Sequence, residues 1–170
     1  MSFIAVEALH AGKPGGTENP VQLQAPGREE SGLSAEDAVT RDGWGGQASG
    51  CLTQSSKNRV TFQHTVTPNS DSVSMAVRLR QIQSYHMDVR GWCDIGYHFM
   101  IGQDGLVYNG RGDNLAGAYS IAAQSDNISV SFVGRHCSLI PSENSLEAAA
   151  FIVGDVAHRY SIPTNREFVK

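Results

Sequence analysis

The strongest local pattern in the sequence is a predicted hairpin at residues 96–111, which read GYHFMIGQDGLVYNGR. Two short apolar runs flank Gly102-Gln103-Asp104-Gly105. An Asp-Gly pair favours the positive φ angles that a tight turn between antiparallel strands requires. The segment therefore predicts two paired strands, and Asp104 and Gly105 are interpreted as structural residues of the turn.

The rest of the chain predicts alternating strands and helices. The β-branched run RVTFQ is typical of a strand, and the alternation of Ile128, Val130 and Phe132 predicts a half-buried one. The predicted elements outside the hairpin are strands at 59–63, 127–134 and 166–170 and helices at 71–88 and 143–160. This order predicts an α/β fold with a central mixed β-sheet flanked by helices.

Each predicted helix has one apolar face. On the first, the apolar face carries Met75, Leu79, Ile82 and His86, while Arg78, Arg80, Gln81 and Gln83 cover the remaining surface. On the second, the apolar stripe consists of Leu146, Ala149, Ala150, Val153, Val156, Ala157 and Tyr160. The order of charged and apolar positions thus indicates two helices that pack on the sheet.

Composition indicates one domain and excludes two classes of function. Residues 1–42 are rich in Gly, Pro, Glu, Ser and Asn and predict a flexible leader or linker, which leaves 43–170 as the folded domain. The net charge of -4 offers no basic face for nucleic acid. We find no apolar run near the roughly 18 residues that a membrane span needs, and no clear signal peptide.

The chain has three cysteines, Cys51, Cys93 and Cys137, and no C-x-x-C pair. A thiolate zinc site is therefore not expected, and at most one disulfide can form. Composition alone does not decide between a disulfide and free thiols, and slightly favours thiols. Neighbouring strand residues face opposite sides, so His136 beside Cys137 does not predict a catalytic pair.

Residues 84–112 read SYHMDVRGWCDIGYHFMIGQDGLVYNGRG. This stretch closely resembles the peptidoglycan recognition proteins, whose fold is shared by zinc-dependent N-acetylmuramoyl-L-alanine amidases, including the phage lysozyme type. The segments GAYS (117–120), NISVSFVG (127–134) and YSIP (160–163) continue the resemblance in the same order, from about Trp44 to Lys170. The resemblance implies that fold, with the C-terminal part of the family domain cut short at Lys170.

The resemblance also implies a groove that binds the muramyl-peptide stem of peptidoglycan. The implied groove residues are His64, Thr65, His86, Arg90, Gly91, Trp92, Tyr97 and Tyr119, the last standing where the family usually has histidine. A Gly-Trp pair goes with diaminopimelate-type stems, and Arg90 offers a cation for a stem carboxylate. In catalytic members Tyr97 orients the attacking water or the carbonyl, whereas His98 should point into the packed interior.

The zinc ligands of the family are missing from the sequence given. Gln63 stands where the first histidine ligand should be, and a neutral amide is a weak zinc ligand compared with imidazole. The other two ligands, a histidine and a cysteine, would follow Lys170. His64 is not expected to replace its neighbour, because its side chain should leave the strand on the other face.

These features predict a peptidoglycan-recognition protein of innate-immunity type with no cofactor and no hydrolysis, because amidase chemistry needs the metal. The alternative is a zinc-dependent N-acetylmuramoyl-L-alanine amidase of which this is an incomplete chain. Some relatives bridge the two cysteines that correspond to Cys51 and Cys93, so the resemblance implies that disulfide, a single buried Cys137 and secretion. A degenerate copy with neither function is the third reading.

Overall fold

The computed structural model describes residues 37–54, 56–116 and 126–163. Its helices and strands alternate along the chain as an α/β protein requires. The helices are α1 (Arg41–Trp44), α2 (Met75–Ser84) and α3 (Glu143–Tyr160), and the strands are β1 (Arg59–His64), β2 (Phe99–Ile101), β3 (Val107–Asn109) and β4 (Asn127–Phe132).

The four strands of the described residues form one mixed sheet in the order β1-β4-β2-β3. The central strand β4 is parallel to both β1 and β2, while β3 pairs antiparallel with β2. The predicted mixed sheet flanked by helices is therefore confirmed. The predicted half-buried character of β4 is wrong, because every residue from Asn127 to Phe132 is buried between two neighbouring strands and two covered faces.

The hairpin is confirmed, although its strands are shorter than the sequence indicated. Gly105 adopts φ +83°, and the Asp104 carboxylate accepts a hydrogen bond from the backbone N–H of Leu106 at 3.0 Å. These two contributions reverse the chain between β2 and β3. The predicted last strand at 166–170 lies outside the described residues.

Helix α3 packs on one face of the sheet and has the predicted bounds. The Ser142 hydroxyl caps it by accepting a hydrogen bond from the Ser145 N–H. Its buried stripe is rotated from the predicted one, because Ala150 is exposed while Ala148 and Ile152 are buried. The apolar residues of β2 and β4 that share this core are Phe99, Ile101, Ile128, Val130 and Phe132.

Helix α2 packs on the opposite face, in a second core with Trp44, Ile95, Met100 and Tyr108. It begins at Met75 rather than near residue 71, because the Ser74 side chain provides the cap. Leu79 and Ile82 are buried as predicted. Gln83, expected at the surface, is buried as well, because it hydrogen-bonds to Asp94 and to the backbone of Gln47.

The folded part begins before residue 43. Ala38 is buried. The backbone of Val39 pairs with the edge strand β3, because its N–H donates to Val107 O and its carbonyl oxygen accepts from the Asn109 N–H. Residues 37–42 thus belong to the domain rather than to the predicted leader, because they cover the outer edge of the sheet.

Candidate functional site

A wide helical turn ends α2 and shapes the candidate groove. Residues Tyr85–Val89 form a π-helical turn, a local widening often found at functional sites. Gly91 then adopts φ +67°, a left-handed angle that glycine tolerates best. The chain reverses there, and Trp92 donates its backbone N–H to His86 O at 2.9 Å.

The reversal assembles three rings beside a guanidinium. The ring centroid of His86 lies 4.6 Å from that of Trp92 and 5.4 Å from that of Tyr97. The guanidinium of Arg90 lies 5.4 Å from the centre of the Trp92 ring. We call His86, Arg90, Trp92 and Tyr97 the aromatic cluster. It offers apolar surface for a peptide and an exposed cation for a carboxylate.

The environment of His86 fixes its protonation state. Its Nδ1 accepts a hydrogen bond from the Gly96 N–H at 3.0 Å, so a neutral ring carries its proton on Nε2. Burial, followed by the charges of Arg111 and Arg90, lowers the pKa of His86 to about 4. At neutral pH the imidazole is therefore uncharged and presents one N–H donor.

Gly96 is a supporting residue that the sequence reasoning missed. A Cβ at this position would lie 2.8 Å from the ring of Trp92 and 3.5 Å from that of His86. Any side chain here would displace Trp92. Its place inside GWCDIGY was visible in the sequence, but the contact depends on the chain reversal at Gly91.

Buried charges hold the loop that follows Trp92, and the sequence reasoning missed these too. The carboxylate of Asp94 is fully buried and accepts hydrogen bonds from Arg41 at 2.6 Å and from the Ile95 N–H at 2.6 Å. Arg111, also buried, donates to the backbone oxygens of Asp94 and Ile95. Together they fix the backbone between Trp92 and Tyr97.

The predicted disulfide is confirmed. Cys51 and Cys93 are bonded, with their Cα atoms 5.0 Å apart. The bridge fastens the residue next to Trp92 to the segment before β1. Cys137 is free as expected, but it is exposed rather than buried, because it lies in the loop between β4 and α3 and not on a strand.

The two residues at the end of β1 face opposite sides of the sheet. Gln63 lies on the face of Ser129 and donates its amide N–H to that hydroxyl. His64 lies two positions after Phe62 and points to the same side of the sheet, the side that α3 covers. There it contacts His136 and Cys137. His98, predicted to point inward, is buried.

The other implied groove residues make their contacts with other parts of the chain or lie outside the described residues. Thr65 accepts a hydrogen bond through its hydroxyl from the Gly134 N–H at 2.9 Å and hydrogen-bonds to Thr67. The structure therefore brings together His86, Arg90, Trp92 and Tyr97, with Gly91 in the connecting turn, whereas His64 makes its contacts elsewhere. Tyr119 lies outside the described residues.

The residues near Gln63 do not fit a zinc ion. Its amide nitrogen is not a ligand atom, and it is hydrogen-bonded to Ser129. Within residues 37–54, 56–116 and 126–163, no three His, Cys, Asp or Glu side chains group closely enough to hold a metal ion. In the same ranges no helix is long and apolar enough to cross a bilayer.

Sequence comparisons identify an amidase family model and several peptidoglycan recognition proteins. Residues 54–170 match the family model described as N-acetylmuramoyl-L-alanine amidase. The chain is 37% identical to peptidoglycan recognition protein 1 of Bos indicus over 133 residues, which cover 76% of this chain and 70% of that protein. It is 36% identical to peptidoglycan-recognition protein 1 of Holotrichia diomphalia over 118 residues, covering 68% of this chain and 60% of that protein.

Solved structures agree with these matches. Human PGRP-IBETAC in complex with glycosamyl muramyl pentapeptide has a TM-score of 0.68 and 28% identity, covering 76% of this chain and 80% of that one. Peptidoglycan recognition protein-LE in complex with tracheal cytotoxin, a monomeric diaminopimelic acid-type peptidoglycan, has a TM-score of 0.69 and 28% identity, with 76% and 78% covered. The sheet order, the bridged GWC motif and these matches lead to one assignment: the chain belongs to the peptidoglycan recognition protein and N-acetylmuramoyl-L-alanine amidase family.

Proposed function

We propose that this chain binds the muramyl-peptide stem of bacterial peptidoglycan as a recognition protein. The observation that carries the proposal is the aromatic cluster, with its uncharged imidazole, two neighbouring rings and an exposed guanidinium. Two structural relatives are complexes, one with glycosamyl muramyl pentapeptide and one with a monomeric diaminopimelic acid-type peptidoglycan. Binding is the function that the retained groove residues support.

The proposed stem is of the diaminopimelate type. Gly91 leaves open space, since a Cβ there would meet no heavy atom within 4 Å. Diaminopimelate differs from lysine by one additional carboxylate, which needs both room and a cation. Arg90, exposed next to Gly91, supplies the cation.

Calorimetric titration with a diaminopimelate-type muramyl pentapeptide tests the proposal, with the lysine-type peptide as the comparison. We expect tighter binding of the diaminopimelate form and a loss of at least about ten-fold in Arg90→Ala, since a charge-assisted hydrogen bond is worth about 1.5–3 kcal/mol. Arg59→Ala removes the same charge from an exposed site on β1 and should bind like the unmodified chain. Equal affinity of the two peptides would refute the specificity, and no binding of either would refute recognition.

A second candidate function is zinc-dependent amide hydrolysis, which the description of the matching family model favours. Gln63 argues against it, because its carboxamide replaces an imidazole and is engaged with Ser129. Incubation of the chain with peptidoglycan and Zn²⁺, followed by chromatography for released stem peptide, separates the two. Stoichiometric zinc together with stem release would establish the amidase and overturn recognition without hydrolysis.

The proposed place of action is outside the cell. The Cys51–Cys93 disulfide supports it, because such bridges form and persist mainly in oxidising compartments. The expected partner, a cell-wall fragment, is extracellular as well. Immunodetection in the culture medium, compared with the cell lysate, tests this location, and retention of the whole population in the lysate would contradict it.

A further inference from the structure

The third cysteine lies beside a histidine that is distant in sequence. Cys137 is exposed in the loop after β4, and its Sγ lies 4.0 Å from Nε2 of His64 at the end of β1. The pair joins residues 73 positions apart and lies on the α3 side of the sheet, where the His64 ring also contacts that of His136. It is a nucleophile next to a ring nitrogen, and the proposed stem binding does not use it.

The backbone fixes which nitrogen of His64 carries the proton. Nδ1 accepts a hydrogen bond of 2.7 Å from the backbone N–H of His136, so Nδ1 is unprotonated. The pKa of His64 is lowered by burial and then by the charges of His136 and Arg135, which favours the neutral ring. A neutral ring whose Nδ1 is unprotonated carries its proton on Nε2, and Nε2 is the nitrogen beside the sulfur.

This tautomer excludes a metal bridge and leaves an N–H donor facing the sulfur. A metal ion on Nε2 would require the proton to leave or to move to Nδ1, and either change conflicts with the present hydrogen bonds. The same proton can be donated to a sulfur anion. Arg135, two positions before Cys137, places an exposed positive charge in the same loop.

We propose that Cys137 is a reactive thiol that forms mixed disulfides with small-molecule disulfides, and that its thiolate accepts the Nε2–H of His64. The Cys137 sulfur attacks one sulfur of the disulfide, the S–S bond of the reagent breaks, and the second sulfur leaves as a thiolate. That thiolate takes up the proton that Cys137 released to solvent. One thiol and one disulfide give one mixed disulfide and one thiol, without any further oxidant.

Intact-mass kinetics with glutathione disulfide at pH 7.4 test the proposal on the full chain with its native bridge. We expect one adduct per chain, located at Cys137 by peptide mapping and absent in Cys137→Ser. The rate should exceed that of the same chain in urea, where His64 no longer faces the thiol. His64→Ala should lower the folded-state rate about five-fold, the factor that one ordinary hydrogen bond supplies.

His136→Ala is the matched control, because it removes a neighbouring ring but keeps the backbone N–H that orients His64. It should retain most of the rate, and circular dichroism shows whether each variant is folded. Equal rates for the folded and urea-treated chains, or for His64→Ala and the unmodified chain, would overturn the role of His64. A disulfide-linked dimer as the main product would overturn the assignment to small-molecule disulfides in favour of a second copy.

Discussion

At the scale of single residues, a comparison of Gly91 with Gly154 in α3 distinguishes the effect of backbone strain from that of crowding around a side chain. At both positions a Cβ would meet no heavy atom within 4 Å, but only Gly91 has a positive φ, +67°. A β-branched residue in that region costs about 1–2 kcal/mol, whereas alanine in a helix gains roughly 0.5–1 kcal/mol over glycine. We therefore expect Gly91→Val to lower and Gly154→Ala to raise the free energy of unfolding, measured by urea titration.

Gly91→Asn is the control for that comparison, because asparagine enters the left-handed region more readily than valine. It should lose clearly less stability than Gly91→Val. Equal losses in the two variants would show that crowding, and not the backbone angle, selects glycine here.

His86 gives the fold a pH dependence with a defined sign. Its pKa is about 4 in the folded chain and near 6.5 in the unfolded chain, so the unfolded state takes up the proton first as pH falls. The contribution of His86 to stability is complete above about pH 6.5 and is lost as pH falls from there towards 4, with a slope of up to about 1.4 kcal/mol per pH unit, and buried His98, whose pKa is lowered to about 3, adds a loss of the same sign. Urea titrations between pH 7 and pH 4.5 should show this loss.

His86→Asn should make that pH dependence shallower, because asparagine can still accept the Gly96 N–H but does not titrate. His158→Asn changes an exposed histidine on α3 and should keep the original slope. An unchanged slope in His86→Asn would mean that the fold does not depress the His86 pKa.

At the scale of elements, the Cys51–Cys93 bridge joins the segment before β1 to the turn after α2 across 42 positions. Closing a loop of that length in the unfolded chain stabilises the folded state by about 4 kcal/mol in the chain-entropy model. We expect the double change Cys51→Ala and Cys93→Ala to lower the free energy of unfolding by about that amount. Cys137→Ser should change it by less than about 0.5 kcal/mol, and an equal loss there would contradict the assignment.

Signals within a few residues predicted where helices and strands lie better than they predicted which side chains the fold buries. The bounds of α3 followed from its periodicity and the Ser142 cap, both readable within a few residues. The start of α2 did not, because Ser70, Asp71, Ser72 and Ser74 are all capping residues and only the fold selects one. The alternating polar residues of β4 indicated solvent, but its polar side chains are buried against Thr61 and Gln63, 66 positions earlier in the chain.

The residues of the candidate site also fall into two groups, those that a local motif identified and those that depend on long-range packing. His86, Arg90 and Trp92 lie within seven positions, so the motif identified them together. Asp94, Gly96 and Arg111 act through buried contacts that exist only after α1, α2 and the hairpin have packed. The pairing of His64 with Cys137 depends on the parallel register of β1 and β4, which no single segment encodes.

At the scale of the whole molecule, the buried charges connect the N-terminal segment to the groove. Asp94 is fully buried and is compensated by Arg41 from α1, while Arg111 holds the same loop from the hairpin side. Removing one partner of such a pair costs about 3–5 kcal/mol, because the remaining charge is left without compensation. The loop after Trp92 therefore depends on residues that precede the family match at residue 54.

This dependence predicts that a domain that keeps the whole family match from residue 54 but lacks α1 is unstable. A chain that begins at Gln47 lacks Arg41 and Trp44. Trp44 is 1% exposed, and its indole donates its Nε1–H to Asn109 O at 2.7 Å. Loss of a buried tryptophan alone costs about 3–5 kcal/mol, a large share of the stability of a domain this size. Urea unfolding should show a far lower midpoint for the chain from Gln47 than for the chain from Asp37. Equal midpoints would mean that α1 is an appendage, and that Asp94 finds its compensation within the segment that matches the family.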